Sequence, residues 1–280
     1  MDFKIEKFKT ANDFLFRNEE HLLKSESINN LILGLACGIQ KSEIEASDPL
    51  FLSIIQNGKL AGQALLSNPS RPLVVSRIID GGIIHLCEFF KKENITLKGV
   101  VGPSKPSSLF SKQWSSKTNL GMHQGIYELL EVKLPKNSGG ELVFADERDL
   151  DKLTVLVEGF VRDCFPEEQE VDKRYIEILN RQIRNKTLYV WKLKSGEIVS
   201  MAAVARESKN AATISMVFTP EHHRGNGYGS LVTAYLSKRV LESGKKKCNL
   251  FTDLLNPTSN SIYRKIGYKK IGESMHYHFI

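Results

Sequence analysis

The sequence predicts an α/β fold laid down twice, and three observations point there. Apolar strand pairs flank tight turns in each half, with Gly58 and Gly196 lying 138 positions apart in equivalent turns. A strand in the second half enters an amphipathic helix through a loop of three alternating glycines. The chain has 280 residues, 41% apolar and 25% charged, which is long for one ordinary domain and comfortable for two cores.

The elements follow in order. Residues 51–55 and 60–66 are apolar runs around Gln56-Asn57-Gly58-Lys59, and an Asn-Gly pair favours a tight hairpin because both positions accept positive φ. Leu73-Val74-Val75 reads as a strand that enters a tight turn at Asp80-Gly81-Gly82, then a helix through Leu86, Phe89 and Phe90. Val100-Val101-Gly102-Pro103 is a further strand, followed by residues 107–114. The polar stretch 134–140 carries Pro135 and Gly139-Gly140, which predicts domains at 1–135 and 141–280 with a linker over 136–140.

In the second half, Asp146 is placed to cap a helix through Leu150, Leu153, Val157 and Phe160. A second helix runs from about Asp172 through Tyr175, Leu179 and Ile183. Residues 187–193 and 198–204 form a hairpin around Lys194-Ser195-Gly196-Glu197, and at the repeat offset Leu60 meets Ile198 and Ala64 meets Ala202. Helices, a meander, then alternating strands and helices is an α/β order.

Residues 212–218 are β-compatible and stop pairing at Pro220, which has no amide hydrogen to donate. Beyond Gly229, Leu231, Val232, Tyr235, Leu236, Val240 and Leu241 recur on one helical face, so a helix runs to about Ser243 and closes at Gly244. The glycines of Arg224-Gly225-Asn226-Gly227-Tyr228-Gly229-Ser230 therefore stand at a helix N-terminus, where unpaired amides and the positive end of the dipole suit an anion. A dinucleotide fingerprint needs glycine at position 230 and finds Ser230, and the Gly-Lys-Ser/Thr of a triphosphatase loop is absent. Arg-x-x-Gly-x-Gly remains, filled by Arg224, Gly227 and Gly229, although a bare turn can also be glycine-rich.

A second segment supplies context. Residues 248–253 read as a buried strand, followed by Asn256 as an N-cap, Pro257 at the first helical position, Tyr263, and Gly267 at the helix end. The two segments, in this order, resemble the GNAT superfamily of N-acetyltransferases, firmly over about 145–278 and weakly before 135. Within it, residues 251–263 are similar to a group of bacterial two-half predicted acetyltransferases.

The resemblance implies tandem GNAT-like domains, each a central, mostly antiparallel sheet flanked by helices, with acetyl-coenzyme A as co-substrate and no metal. It implies that backbone amides of Met216, Val217 and Phe218 face the pantetheine and acetyl carbonyl, and that Arg224, Gly225, Asn226, Gly227, Tyr228, Gly229 and Ser230 hold the pyrophosphate. Asn256 joins the coenzyme site, and Tyr263 points its hydroxyl at the coenzyme sulfur as a general acid. The first half has no such loop, so one coenzyme site per chain is expected, with the first domain degenerate. Family relatives often carry a carboxylate base on the strand before the loop, whereas this strand offers Thr213, Ser215 and Thr219. His222 and His223 read as solvated or phosphate-adjacent, and Pro166-Glu167-Glu168-Gln169-Glu170 as an acidic turn that either attracts a cationic amine, where relatives shape the acceptor pocket, or is a plain solvated loop.

Composition narrows the partners. Net charge is +7, but the basic residues are scattered, and the one compact run, Lys245-Lys246-Lys247, reads as a solvated cap, so no nucleic-acid partner is expected. No stretch approaches the roughly 20 apolar residues of a membrane span, and Met1-Asp2-Phe3-Lys4 begins no basic-then-apolar signal. Cys37, Cys87, Cys164 and Cys248 are dispersed and read as free, mainly buried thiols of a cytoplasmic protein. The leading expectation is direct acetyl transfer to a primary amine, small molecule or amino acid before peptide. The alternative is a coenzyme-binding sensor that does not catalyse. Monomer and homodimer stay open.

Overall fold

Twelve strands hydrogen-bond into one continuous mixed sheet in a computed structural model that describes residues 2–136, 139–165 and 173–280. The first half supplies β1 (Phe3–Phe8), α1 (Ala11–Leu23), α2 (Asn30–Gln40), β2 (Leu50–Gln56), β3 (Lys59–Leu66), β4 (Leu73–Val75), α3 (Asp80–Lys92), β5 (Gly99–Pro103), α4 (Ser104–Trp114) and β6 (Thr118–Leu129). The second supplies β7 (Glu141–Phe144), α5 (Leu150–Cys164), α6 (Lys173–Arg184), β8 (Leu188–Lys192), β9 (Ile198–Glu207), β10 (Ala211–Phe218), α7 (Tyr228–Glu242), β11 (Lys247–Asp253), α8 (Pro257–Ile266) and β12 (Lys269–Phe279).

The strand order is β1-β2-β3-β4-β5-β12-β6-β11-β10-β9-β8-β7. Each half thus gives its last strand to the other. β12 lies antiparallel to β5 of the first half, and β6 lies antiparallel to β11 of the second. The two exchanged strands pair with each other from Lys269 opposite Glu128 to Phe279 opposite Thr118. Because each is bonded on both edges, neither half has a free edge at the junction.

Helices cover both faces. In the second half, β8 alternates: Tyr189 and Trp191 join the core under α7 and α8, while Leu188 and Val190 join the core under α5 and α6. The first half repeats this, with α3 and α4 on one face and α1 and α2 on the other. The predicted hairpin turn has Asn57 at φ 48 and Gly58 at φ 79, both in the left-handed region.

The segment between α1 and α2 reaches onto the second half. Glu26, 3% exposed, accepts from Ser208 Oγ at 2.8 Å and from the Asn210 amide at 2.8 Å, gripping the β9–β10 turn. Lys247 bridges Glu128 at 3.2 Å, and Lys245 donates to the Ser208 carbonyl at 2.7 Å and pairs with Glu207 at 2.9 Å. Lys247 is therefore a rivet at the junction of the halves, and Lys245 is held within the second half at the β9–β10 turn, so neither is a solvated cap.

Other expectations shift. Gly81 and Gly82 lie in the first turn of α3 instead of a loop, where a Cβ on Gly81 would stand 2.9 Å from the Phe3 ring, so they serve close helix packing. Asp146 caps a short 3-10 turn, accepting from the Arg148 amide, and the α-helix begins at Leu150. Cys164 is exposed, while Cys87 and Cys248 are buried and Cys37 is half-buried. The acidic turn 166–170, Asp172, and Asn137 and Ser138 of the linker lie outside the described residues.

Candidate active site

β10 and β11 run parallel only from Ala211 opposite Lys247 to Thr213 opposite Asn249. Beyond that point they diverge into a fork, because β10 is bent by a bulge. Ser215 faces Ala203 and Phe218 faces Met201, so β10 spends one residue more than β9 over the same interval. Met216 takes the strain at φ 52, an uncommon conformation for a side chain without local hydrogen-bonding ability. The extra residue also inverts the alternation: Ile214 packs under α7, whereas Met216 packs under α5. On its fork edge, β10 is left without a strand partner from Ile214 to Phe218. Backbone groups that must be satisfied are thereby offered to whatever enters.

Ser200 fastens the end of this strand, donating to the Phe218 carbonyl at 2.8 Å and meeting Thr219 Oγ1 at 2.9 Å. The loop then climbs to α7. Arg224 Nε donates to the Thr219 carbonyl at 3.0 Å, and its Nη2 meets Asp163 of α5 at 2.6 Å. Gly225 and Gly227 take φ of 85 and 79, and a Cβ on either would find no atom within 4 Å. Gly227 is the N-cap of α7 and offers no side chain to its amides, the first intrahelical bond being Leu231 to Gly227 at 3.0 Å. Uncapped amides beside open space fit a phosphate group. His223 pairs with Glu197 at 3.3 Å and lies against Tyr228, away from the fork.

α8 closes the other side of the fork. Asn256 caps it through Ser259 N at 3.0 Å, with Pro257 inside the start and Gly267 past the end, as the sequence predicts. Asn260, which sequence reasoning passed over, is the better-anchored amide. Its Nδ2 donates to the Asp253 and Asn256 carbonyls at 2.8 and 2.7 Å, and its Oδ1 accepts from Tyr127 on exchanged β6 at 2.7 Å. Tyr263, 8% exposed, stands edge-on to Tyr268 with ring centroids 6.1 Å apart. Burial raises its phenol well above the ordinary value, and the Cys164 thiol adds to the rise.

A cavity of about 890 Å³ adjoins the loop from the α5 side, lined by Gly159, Asp163, Glu197, Phe218, His222 and Arg224 among others. No residue of β11 or α8 lines it. The equivalent fork in the first half is shut. β4 and β5 pair through Leu73–Val100 and Val74–Val101, and a Cβ at Gly102 would collide with the Val75 carbonyl. Ser76 then folds back on Gln63, its Oγ donating to Oε1 at 2.9 Å. The chain therefore has a single open fork of this kind among the described residues.

A bulged strand splayed from its parallel neighbour, followed by a glycine loop at a helix start, is decisive for the architecture. The chain has the GNAT fold, in tandem. Residues 193–277 match the family model of the FR47-like proteins. A GNAT-family acetyltransferase from Colwellia psychrerythraea is similar over 99% of this chain and 100% of its own, with TM-score 0.61 and 13% identity. A tandem GNAT protein from the clavulanic acid biosynthesis pathway is similar over 99% and 98%, with TM-score 0.57 and 11% identity. A GCN5-related N-acetyltransferase from Sphaerobacter thermophilus is similar over 98% and 94%, with TM-score 0.60 and 13% identity. Comparison with curated proteins returns no match. Among the described residues no helix of this tandem GNAT fold is long and apolar enough to cross a membrane, and no group of three His, Cys, Asp or Glu could hold a metal ion.

Proposed function

We propose that the second half transfers an acetyl group from acetyl-coenzyme A to a primary amine, directly and within a ternary complex, in the cytoplasm. The bulge at Met216 carries this reading, because it accompanies a stretch of β10 with no β11 partner beyond Thr213, whose free amides suit the carbonyl of a thioester as negative charge develops on it. Amides of Met216, Val217 and Phe218 polarise that carbonyl. The loop from Arg224 to Ser230 grips the pyrophosphate, with Asn256 and Asn260 shaping the far wall. The amine nitrogen attacks, the carbon–nitrogen bond forms, and the carbon–sulfur bond breaks. Burial makes Tyr263 a weaker acid than a free phenol, so it serves as a hydrogen-bond donor to the departing sulfur. β10 carries no carboxylate, and in this reading the amine attacks in its neutral form and its proton passes to water.

Calorimetry with coenzyme A and acetyl-coenzyme A tests the donor. Arg224→Ala removes a charge-assisted phosphate contact of about 1.5–3 kcal/mol, a loss in affinity of roughly 10- to 150-fold. Absence of submillimolar binding to the wild type rejects the reading. Thiol release across a panel of amines tests the transfer, and binding without turnover on any amine or peptide favours the sensor.

A further inference from the structure

Arg206 on β9, Thr213 on β10 and Asn249 on β11 are register neighbours across the sheet at the root of the fork. Thr213 is satisfied, donating to Asn30 of α2 at 3.2 Å. Its two neighbours are not. Asn249 is 0% exposed, and among the described residues both polar atoms of its amide lack a hydrogen bond, as does the buried Nε of Arg206. Arg206 has no ion pair with any described residue, and its guanidinium stands over the Phe251 ring at 5.9 Å from the centroid. A buried amide with neither end met and a buried, unmet guanidinium Nε are both costly, and a ligand that completes them would account for both.

Arg206 is also aimed. Thr213 faces Arg206 while Ile214 faces Val204, so Ala205 is an extra residue, and this second bulge turns Arg206 onto the α2 face. A Cβ on Gly34 of α2 would lie 2.8 Å from Arg206 Cβ and 3.0 Å from Cδ, so glycine lets the helix clamp the arginine stem. From β9 the side chain crosses β10 to a ring on β11, two strand spacings or about 10 Å away. The residue retains part of its accessible surface, so it is open to a ligand instead of being sealed. Burial lowers the guanidinium only to about 10, which leaves it cationic at neutral pH. Met216 stands three residues beyond Thr213 along β10, roughly 10 Å, a span that a short amino acid and its contacts can fill.

We propose that Arg206 and Asn249 form a carboxylate subsite at the root of the fork, so that the acceptor is an amino acid carrying its carboxylate a few bonds from the reacting nitrogen. This rests on the acetyl-transfer reading above. The guanidinium takes the carboxylate, and the Asn249 Nδ2 donates to the same group.

The test compares glycine, L-alanine and β-alanine with their carboxamides in thiol release, alongside coenzyme A calorimetry. The wild type is expected to favour the acids at least about 10-fold in kcat/KM after correction for free amine. Arg206→Met, which keeps the stem and removes the charge, is expected to abolish that preference through KM while coenzyme affinity stays within about twofold. It is also expected to raise Tm, since a charge with no ion-pair partner and an unmet buried Nε is gone; a structural arginine would lower it. Pools of the protein amino acids are also titrated with and without coenzyme A, where Arg206-dependent binding supports the subsite even if turnover is undetected. Equal use of acids and amides, a preference unchanged in Arg206→Met, or normal coenzyme binding with no amino acid bound overturns it. Failure of the wild type to bind coenzyme strikes the acetyl-transfer reading instead.

Discussion

Gly227→Ala and Gly227→Asn together separate backbone strain from anion contact at the loop. Gly227 sits at φ 79, ψ 5 as the N-cap of α7, and a Cβ there meets no atom within 4 Å. The cost to the folded chain is therefore conformational, about 1–2 kcal/mol for an L residue in the left-handed region. For a chain of this size that is a Tm lowered by roughly 2–3 °C. Asparagine tolerates this conformation, so Gly227→Asn should recover most of that loss. Coenzyme affinity should behave differently. Either side chain occupies the open space beside the amides of Tyr228, Gly229 and Ser230, removing one amide–phosphate bond worth about 1.5–3 kcal/mol, or roughly 10- to 150-fold in Kd. Differential scanning calorimetry reads the first effect and titration calorimetry with coenzyme A the second. Recovery of affinity along with stability in Gly227→Asn would refute close approach of a phosphate to this glycine.

Tyr263→Phe should lower kcat by about 10-fold or more with KM for coenzyme little changed, since one hydrogen bond to a developing thiolate is lost; an unchanged kcat assigns Tyr263 to the core alone. Glu26→Ala should cost about 3 kcal/mol in urea unfolding, because Ser208, Asn210 and Lys247 lose a buried carboxylate that ties the first half to the β9–β10 turn. Burial, then the neighbouring His278, lowers His276 from 6.5 to about 4. The unfolded chain then binds more protons between those values, so stability should rise with pH from about 4 to 6.5, and His276→Gln should flatten the slope in a pH series of thermal melts.

The glycine loop, the α8 caps and both hairpins were legible because each depends on residues close in sequence. Positive φ at Gly225 and Gly227 and the Asn256–Pro257 start of α8 are local requirements that composition reveals. Other parts were not legible. The exchanged strands β6 and β12 both carry Gly and His among other polar residues, so alternation is weak, and nothing in either strand names its partner. Asn260 gains its role from Tyr127, 133 residues earlier. Lys247 resembles part of a solvated run until Glu26 and Glu128 arrive from the other half. A bulge is equally hidden, since one residue more or less in a strand leaves no mark on its apolar pattern.

By itself the sequence determined a doubled α/β chain, an anion-ready helix start at Gly227 and a capped helix bearing Tyr263, all set by backbone conformations that particular residues favour or forbid. Only the tertiary structure decided that the sheets fuse by exchanging their last strands, that one fork is open and the other shut, and that Arg206 crosses the root of the open one. Those outcomes depend on register and on contacts between distant segments. A strand slipped or bulged by a single residue carries the same side chains to the opposite face, and no local pattern records which way it went.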